Sequence, residues 1–370
     1  MGSENLPPFR ADHVGSLLRP ASLLEARAKS KTKEISPTEL HNHENDCIRE
    51  VVKMQESLGL QSATDGEFRR ENFHTDFISQ IEGVEFRQIF TPGGTGSEEH
   101  QAPFVAMVSK KMSLPEKGIE VDNFRYLNSI STTATAKQTL PSPTMTHFRG
   151  GRKAIDKVAY PELEEFYFDL ARVYQEEIKR LTDAGCRYLQ LDDTNLAYLC
   201  DKKMRSQVEE RGDDPKQLPH DYAKLINQSI RERPDDVVVC IHTCRGNARS
   251  RWFAEGGYES IAEVVFNEME VDGFFLEYDD KRSGNFEPLR FVPKNKKIVL
   301  GLITTKQSEL ETRDTIKRRI EEATKYIDID QLCLSPQCGF ASNADGNLLS
   351  EDDEKTKLSL IVRLADEIWS

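Results

Sequence analysis

The stretch Val237–Asn247, VVVCIHTCRGN, decides how the rest of the chain is interpreted. Its five consecutive apolar residues predict the centre of a buried parallel strand, and the run then ends in His242, Thr243 and Cys244. Alternate residues of a strand point to the same side, so His242 and Cys244 are expected to project together from its carboxyl end. Imidazole and thiolate are both common zinc ligands. The stretch therefore predicts two ligands of a metal site whose other ligands come from other strands.

Other short apolar runs end in polar or ionisable residues in the same way. They are LQSATDGEF (60–68), GCRYLQLDD (185–193), VDGFFLEYDD (271–280), KKIVLGLITT (296–305) and DQLCLSPQCG (330–339). With FRADHVGS (9–16) and KQTLPSPT (137–144) the chain has eight candidate strands, so a (β/α)8 TIM barrel is the economical fold. An open doubly wound sheet is the alternative, although no G-x-G-x-x-G or P-loop motif follows any of the strands.

Amphipathic helical segments lie between these runs. Capping boxes at 36–39 and 308–311 predict two helix starts, and further long helices are expected over 161–183 and 350–368. Residues 83–137 have little helical pattern and contain TPGGTGSEEHQ. We therefore predict one barrel domain over residues 1–370, with 83–137 as an insertion that decorates the C-terminal mouth.

Composition limits the partners of such a barrel. The formal net charge of −13 and the pI near 5.3 argue against nucleic acid or an acidic membrane as the main partner. No apolar stretch approaches the roughly 20 residues of a membrane span, so a cytoplasmic location is expected. The seven cysteines are odd in number and scattered, which favours reduced thiols and metal ligands over a disulfide framework. The expected partner is a small molecule.

Barrel enzymes build their sites from the carboxyl ends of the strands, where this chain has several candidate ligands. His242, Cys244, Glu277 and Cys338 end three of the predicted strands and provide one imidazole, two thiolates and one carboxylate. This set suits tetrahedral Zn²⁺. Cys240 and Cys333 lie deeper in their strands, and for them a core role is the expected one.

Six motifs then point to a known family. In chain order they are HVGSLLRP (13–20), DGEFRREN (65–72), YLQLDD (188–193), IHTCRGN (241–247), FFLEYD (274–279) and SPQCGF (335–340). This series resembles the catalytic C-terminal barrel of cobalamin-independent methionine synthase, and more closely the shorter bacterial and fungal proteins similar to it. The resemblance covers nearly the whole chain. It implies that the same four residues bind zinc and that the protein is a methyltransferase that activates a thiol such as homocysteine as a zinc thiolate.

The resemblance also implies residues for the two substrates. The amino-acid end of homocysteine would contact Ser16, Glu67 and Asp192, although the chain reads Asp192-Asp193-Thr194 where methionine synthases have Asp-Glu-Pro. Lys306 stands near the place of the histidine that would protonate a departing folate. A lysine with a pKa of about 10.4 is a poor acid at neutral pH, so His13, His74 and His147 are further candidates.

Several functions remain open from the sequence. The methyl donor is expected to be a folate, a corrinoid or another methyl carrier. The electrophile could instead be an epoxide, as in an epoxide:thiol transferase, or the enzyme could be a C–S lyase. A non-catalytic zinc or thiol sensor is the alternative outside enzymes.

Overall fold

The structure is a computed structural model that describes residues 6–88 and 104–369. Its strands within those ranges are β1 (Ser62–Ala63), β2 (Glu82–Gln88), β3 (Phe104–Ser113), β4 (Thr135–Pro141), β5 (Tyr188–Asp193), β6 (Val238–Thr243), β7 (Gly273–Glu277), β8 (Lys297–Ile303) and β9 (Leu332–Pro336). Seven of them form one parallel sheet in the spatial order β1-β4-β5-β6-β7-β8-β9. This order advances in one direction, without the reversal that defines a doubly wound sheet, so that alternative is wrong.

The segment predicted as the first strand, 9–16, contacts both edges of this sheet. Ala11 forms a single parallel bridge with Leu334 of β9, and the Asp12 N–H donates to the Leu334 carbonyl at 3.0 Å. On the other edge, the Ser62 hydroxyl of β1 donates to Asp12 Oδ1 at 2.9 Å. One segment can reach both edges only if the sheet curls. The structure therefore shows an α/β fold with a curled parallel sheet, close to a barrel. Segment 9–16, predicted as the first of eight strands, forms only one bridge in it.

Helices follow most strands and pack on the outside of the sheet. The α-helices of the described ranges are α1 (Ala21–Lys31), α2 (Pro37–Ser57), α3 (Thr75–Ile78), α4 (Val121–Ile130), α5 (Leu163–Asp183), α6 (Asn195–Tyr198), α7 (Lys202–Glu210), α8 (Leu218–Ile230), α9 (Ala262–Glu268), α10 (Arg313–Ala323) and α11 (Glu351–Trp369). Short 3-10 helices span Pro143–Thr146, Gly151–Ala154, Tyr258–Ser260, Lys281–Ser283, Glu287–Phe291 and Ile329–Gln331. Of the helices described, none combines the length and the apolar character that crossing a membrane requires.

One of the two predicted capping boxes is confirmed. The Ser36 hydroxyl accepts from the Glu39 N–H at 3.2 Å, and the Glu39 carboxylate accepts from the Ser36 N–H at 2.8 Å. The second box, at 308–311, is wrong. Helix α10 begins after Thr312, whose hydroxyl accepts from the Thr315 N–H at 3.3 Å. Thr312 lies one turn before Ile316, the first buried residue of α10. Its side chain can therefore accept from a free N–H group of the first turn, which is what an N-cap residue does.

The predicted insertion, 83–137, is only partly described. Strands β2 and β3 pair antiparallel within it, and helix α4 follows. The expectation of little helical pattern is wrong over α4, where Val121, Phe124 and Leu127 are buried at helical spacing. The stretch TPGGTGSEEHQ lies outside the described residues. The placement of 83–137 as a decoration of the mouth, and the single-domain assignment, stay predictions.

The inner face of the sheet holds a small apolar cluster beneath the strand ends. Its members are Phe9, Val14, Tyr188, Cys240, Phe275, Val299 and Cys333. The core role predicted for Cys240 and Cys333 is thus confirmed. Beside this cluster the buried ammonium of Lys137 lies 3.2 Å from Asp12 Oδ1 and 4.2 Å from the centroid of the Phe275 ring. The interior of the curled sheet thus contains a buried ion pair, below the site at the carboxyl ends of the strands.

Candidate metal and substrate site

Three of the predicted metal ligands meet at the carboxyl ends of two strands. His242 is the second-to-last residue of β6, Cys244 follows that strand directly, and Cys338 lies two residues beyond β9. The ligand atoms of these three buried residues all lie within 4.8 Å of one another, and the two Sγ atoms are 3.7 Å apart. Thus an imidazole and two thiols from separate strands converge on one point, as a metal centre requires.

A carboxylate behind the imidazole fixes its orientation. Asp192 of β5 is the register partner of His242, and its Oδ1 lies 3.1 Å from His242 Nδ1. Gln190, on the same face two residues earlier, donates to that oxygen at 2.7 Å. Histidines that bind metals commonly donate their second ring N–H to a carboxylate in this way. The contact suits an Nδ1–H donor, and the other ring nitrogen, Nε2, lies 3.2 Å from the Gln337 carbonyl oxygen.

The electrostatics of the cluster favour an anionic sulfur. Hydrogen bonds with Cys244 and His242 hold the pKa of the Cys338 thiol well below its usual value, despite burial. The hydrogen bond with Cys338, together with burial, raises the pKa of Cys244. Burial disfavours a charged His242, but its contacts with Asp192 and Cys338 raise the pKa of that imidazole to about 10. The group therefore already stabilises a thiolate next to a positive charge, and a bound cation would supply that charge by displacing protons.

Glu277, the predicted fourth ligand, is buried at the end of β7 but lies outside this three-residue group. Its Oε2 accepts from the Arg245 N–H at 2.6 Å, and its Oε1 lies 3.2 Å from both Arg282 and Lys306. Burial alone would raise the pKa of Glu277, but Lys306 and the Arg245 guanidinium lower it. The carboxylate is thus ionised beside the cluster. Its role as a metal ligand stays a prediction.

The candidates for the proton donor lie in less suitable surroundings. Burial lowers the pKa of Lys306, but the carboxylates of Glu277 and Asp279 more than compensate and raise it overall. Burial lowers the pKa of His13 to about 4, that of His74 to about 3 and that of His147 to about 4. At neutral pH Lys306 therefore holds its proton and the three histidines are neutral, so none of the three is an imidazolium that could act as the acid. None of the three histidines belongs to the metal cluster of the described chain.

Glu67 and Ser16 lie near the same mouth. The backbone of Glu67 adopts a left-handed conformation with φ of 60°, which is uncommon for a residue other than glycine. Its Oε1 accepts from the Thr139 hydroxyl at 2.8 Å and lies 3.3 Å from Arg70, whereas the buried Oε2 has no hydrogen-bond partner. Burial, reinforced by Asp192, raises the pKa of Glu67 to about 7. An unsatisfied buried carboxylate oxygen is a ready acceptor for a ligand cation.

Ser16 contacts the residue that follows the last cysteine of the cluster. A Cβ added to Gly339 would lie 1.9 Å from Ser16 Oγ, so only glycine permits this approach. The Phe340 N–H also donates to the Ser16 carbonyl at 2.8 Å. These contacts join the HVGS and PQCG motifs, and they place the Ser16 hydroxyl beside Gly339, the residue after Cys338.

Sequence reasoning gave Asp192 a different role and missed Thr139 and Arg282 as supporting residues. The sequence predicts that Asp192 binds the substrate, and this role stays a prediction; its contact with His242 could have been expected from the shared register of the neighbouring strands. Arg70 and Thr139 hold Glu67 in place, and the spacing of three residues between Glu67 and Arg70 was the available signal. Arg282 was not anticipated either, although it lies only five residues after Glu277 in the chain.

The curled parallel sheet with an imidazole, two thiols and several carboxylates at its carboxyl end defines a barrel-type α/β enzyme scaffold with a candidate metal centre. The chain belongs to the cobalamin-independent methionine synthase family, since the family model "Cobalamin-independent synthase, Catalytic domain" matches residues 9–365. This confirms the resemblance that the six motifs carry. The family consists of methyltransferases that act on homocysteine, so an enzyme of this general class is supported.

Relatives of the chain match over nearly its full length. The chain is 46% identical over 366 residues to the uncharacterized protein YxjH of Bacillus subtilis, covering 98% of this chain and 95% of YxjH. It is 25% identical to the methionine synthase of Sulfurisphaera tokodaii, covering 91% of this chain and 87% of that protein. A crystal structure from Listeria monocytogenes, named "Putative Vitamin-B12 Independent Methionine Synthase", superposes with a TM-score of 0.80 at 38% identity and covers 99% of each chain.

These matches narrow the sequence-based alternatives. The family is independent of cobalamin, so the match does not support the corrinoid donor that the sequence left open. No contact among the described residues favours the epoxide:thiol transferase, the C–S lyase or the sensor.

Proposed function

We propose that this protein is a zinc-dependent S-methyltransferase that transfers a methyl group from a methylated reduced folate to homocysteine. The observation that supports this most is the convergence of His242, Cys244 and Cys338 at the strand ends, with the Asp192 carboxylate behind the imidazole. A buried set of one imidazole and two thiols has the ligand chemistry that zinc prefers. Glu277, within reach of the same region, is proposed as the fourth ligand.

The protein residues have separate tasks in this proposal. His242, Cys244, Cys338 and Glu277 would hold the ion, and Asp192 would keep the imidazole correctly oriented. A zinc ion bound there would lower the pKa of an incoming thiol, which is about 8.5 when free, so that the sulfur is nucleophilic at neutral pH. Lys306 and Arg282 balance the negative charge of Glu277 and Asp279 beside that position.

Glu67 is proposed to bind the ammonium group of homocysteine. Its free, buried Oε2 faces no protein donor, and its second oxygen is fixed by Thr139 and Arg70. The nearby Asp192 carboxylate raises the pKa of Glu67, which a substrate ammonium between the two carboxylates would reverse. Ser16, at the end of segment 9–16, is proposed to contact the carboxylate of the same substrate.

The proposal is tested by substituting Co²⁺ for the metal and adding thiols. Cobalt bound by two thiolates has an intense charge-transfer absorption, and entry of a thiol into the metal shell changes it. We expect homocysteine to shift this spectrum and to become methylated when a methylated reduced folate is present. A protein that binds no stoichiometric zinc or cobalt, or whose cobalt spectrum ignores every thiol, contradicts the proposal.

A further inference from the structure

Arg19 is buried between the two loops that carry Glu67 and Cys338. Its side chain is only 6% exposed, and among the described residues no carboxylate lies within ion-pair distance of it. A buried charge without an opposite charge is costly unless hydrogen bonds satisfy it. The metal cluster and the proposed homocysteine contacts make no use of this guanidinium, so its role has to come from the groups that it bonds.

The Arg19 guanidinium donates to main-chain carbonyls of both loops. Its Nη1 donates to the Ala341 carbonyl, three residues after Cys338, at 2.5 Å. Its Nη2 donates to the Glu67 carbonyl at 2.8 Å and to the Arg70 carbonyl at 3.0 Å. Because a guanidinium is planar and its donors have a fixed geometry, the two terminal nitrogens set the position of one loop relative to the other. The side chain is thus a rigid bridge between loops 65–70 and 338–343.

The Glu67 end of this bridge is a strained turn. The left-handed φ of Glu67 is 60°, and its carbonyl also accepts from the Arg70 N–H at 3.0 Å. Nη2 of Arg19 therefore contacts the carbonyls at both ends of the turn. Strain of this kind persists only where the surrounding structure fixes the geometry. Burial lowers the pKa of Arg19 to about 10, so the guanidinium is still charged at neutral pH and can hold the turn.

The backbone that precedes Arg19 is itself fixed. The Leu17 N–H donates to the Gly66 carbonyl at 3.1 Å, and the Leu18 N–H donates to the buried Glu354 carboxyl of α11 at 2.8 Å. The bridge therefore starts from an anchored base. A displacement of either loop would have to move the guanidinium and, with it, the other loop.

We propose that Arg19 is a positioning residue that keeps the Glu67 and Cys338 loops at a fixed separation, so that the ammonium group and the sulfur of one homocysteine molecule are bound together. This inference rests on the proposed function and adds a residue that touches neither substrate nor metal. Three carbon atoms separate the nitrogen and the sulfur of homocysteine, so both ends can be held only over a narrow range of distances. A misplacement of about 1 Å can cost roughly 100-fold in rate.

Arg19→Lys tests the bridge, because it keeps a buried cation but replaces two terminal nitrogens with one. Affinities are measured on Co²⁺-loaded protein for homocysteine and for the mercapto acid that lacks only the amino group. In the native protein we expect homocysteine to bind more tightly, because both of its ends are held. In Arg19→Lys, homocysteine should bind about 10-fold or more weakly, whereas the mercapto acid should bind as before. An equal loss for both thiols, or a loss for neither, would overturn the proposal.

Asn343→Ala is the matched control, because it removes a neutral link between the same loops. Asn72 Nδ2 donates to Asn343 Oδ1 at 2.7 Å, and losing this bond should leave the difference between the two thiols unchanged. A loss of that difference in Asn343→Ala equal to the loss in Arg19→Lys would show that any tie between the loops suffices, which also overturns the assignment to Arg19. Urea unfolding and metal analysis establish that each variant is folded and loaded.

Hydrogen exchange of the native protein needs no variant. The mercapto acid binds only at the metal, yet it should slow amide exchange in loop 65–70 as well as in loop 338–343. Exchange that slows in the second loop alone would overturn the proposal, even if Arg19→Lys does not fold. Failure of the proposed function would appear separately, as equal affinity of the native protein for the two thiols, and the exchange experiment would then still decide whether the loops are coupled.

Discussion

The substitution Glu67→Gln isolates the proposed recognition of the homocysteine ammonium. The side chain keeps its size and its acceptor for Thr139, but loses the negative charge. A charge-assisted hydrogen bond is worth roughly 1.5–3 kcal/mol, so homocysteine should bind about 10- to 150-fold more weakly. Isothermal titration of zinc-loaded protein with homocysteine measures this, and Glu71→Gln, at an exposed glutamate paired with Lys31 at 2.7 Å, is the matched control.

The pH dependence of homocysteine binding provides an independent test of the same role. The pKa of Glu67 is about 7, and only its ionised form attracts an ammonium. Affinity for homocysteine should therefore rise from about pH 6 to about pH 8 in the native protein, beyond the rise caused by the thiol itself. A mercapto acid without an amino group provides the baseline for the thiol. With Glu67→Gln the two ligands should show the same pH profile.

The variant should also remain folded. The pKa of Glu67 is raised above its unfolded value of 4.5, so the stability that this carboxyl contributes is lost as the pH rises through about 7. Because glutamine does not ionise, Glu67→Gln avoids this loss of stability. Its free energy of unfolding at about pH 8 should therefore not be lower than that of the native protein. If Glu67→Gln binds homocysteine as tightly as the native protein does, with an unchanged pH profile, Glu67 is not the ammonium site.

Three further substitutions test the surroundings of the site. Asp192→Asn weakens the orientation of the histidine ligand and should lower zinc affinity about 10- to 100-fold, measured by competition with a chromophoric chelator; unchanged affinity contradicts the role. Lys137→Met leaves the buried Asp12 carboxylate without its cation and should cost about 3–5 kcal/mol in urea unfolding, and adding Asp12→Asn should recover part of this. Gly339→Ala pushes a methyl group into Ser16 Oγ and should reduce zinc occupancy, which metal analysis detects; full occupancy would show that the loop yields without cost.

The sequence predicted the positions of the strands well because each buried strand ends in a polar residue. The polar ends of VVVCIHTC, GCRYLQLDD and DQLCLSPQCG brought His242, Asp192 and Cys338 to one edge, as strand alternation requires. FRADHVGS was less predictable, since its pairing depends on the curl of the whole sheet. Sequence spacing also could not reveal the ion pair between Glu277 and Lys306, because these residues are 29 positions apart in the chain.

The histidines show a different limit of sequence reasoning. His13 and His74 were expected as acids because they lie near predicted strand ends. Whether an imidazole can donate a proton depends on its burial, and both side chains are almost fully enclosed. Their pKa values are lowered by the loss of solvent, which no local motif encodes.

Zinc analysis with X-ray absorption at the zinc edge tests the central claim most directly. The account predicts about one zinc per chain, bound by two sulfurs, one imidazole and the Glu277 carboxylate, with one further sulfur when homocysteine is added. Cys338→Ser should lose most of the metal, whereas Cys240→Ser, at a buried cysteine of the inner apolar cluster, should keep the native ligand shell. Zinc that remains at full occupancy in Cys338→Ser, or a shell without sulfur in the native protein, would contradict the metal site and the function proposed from it.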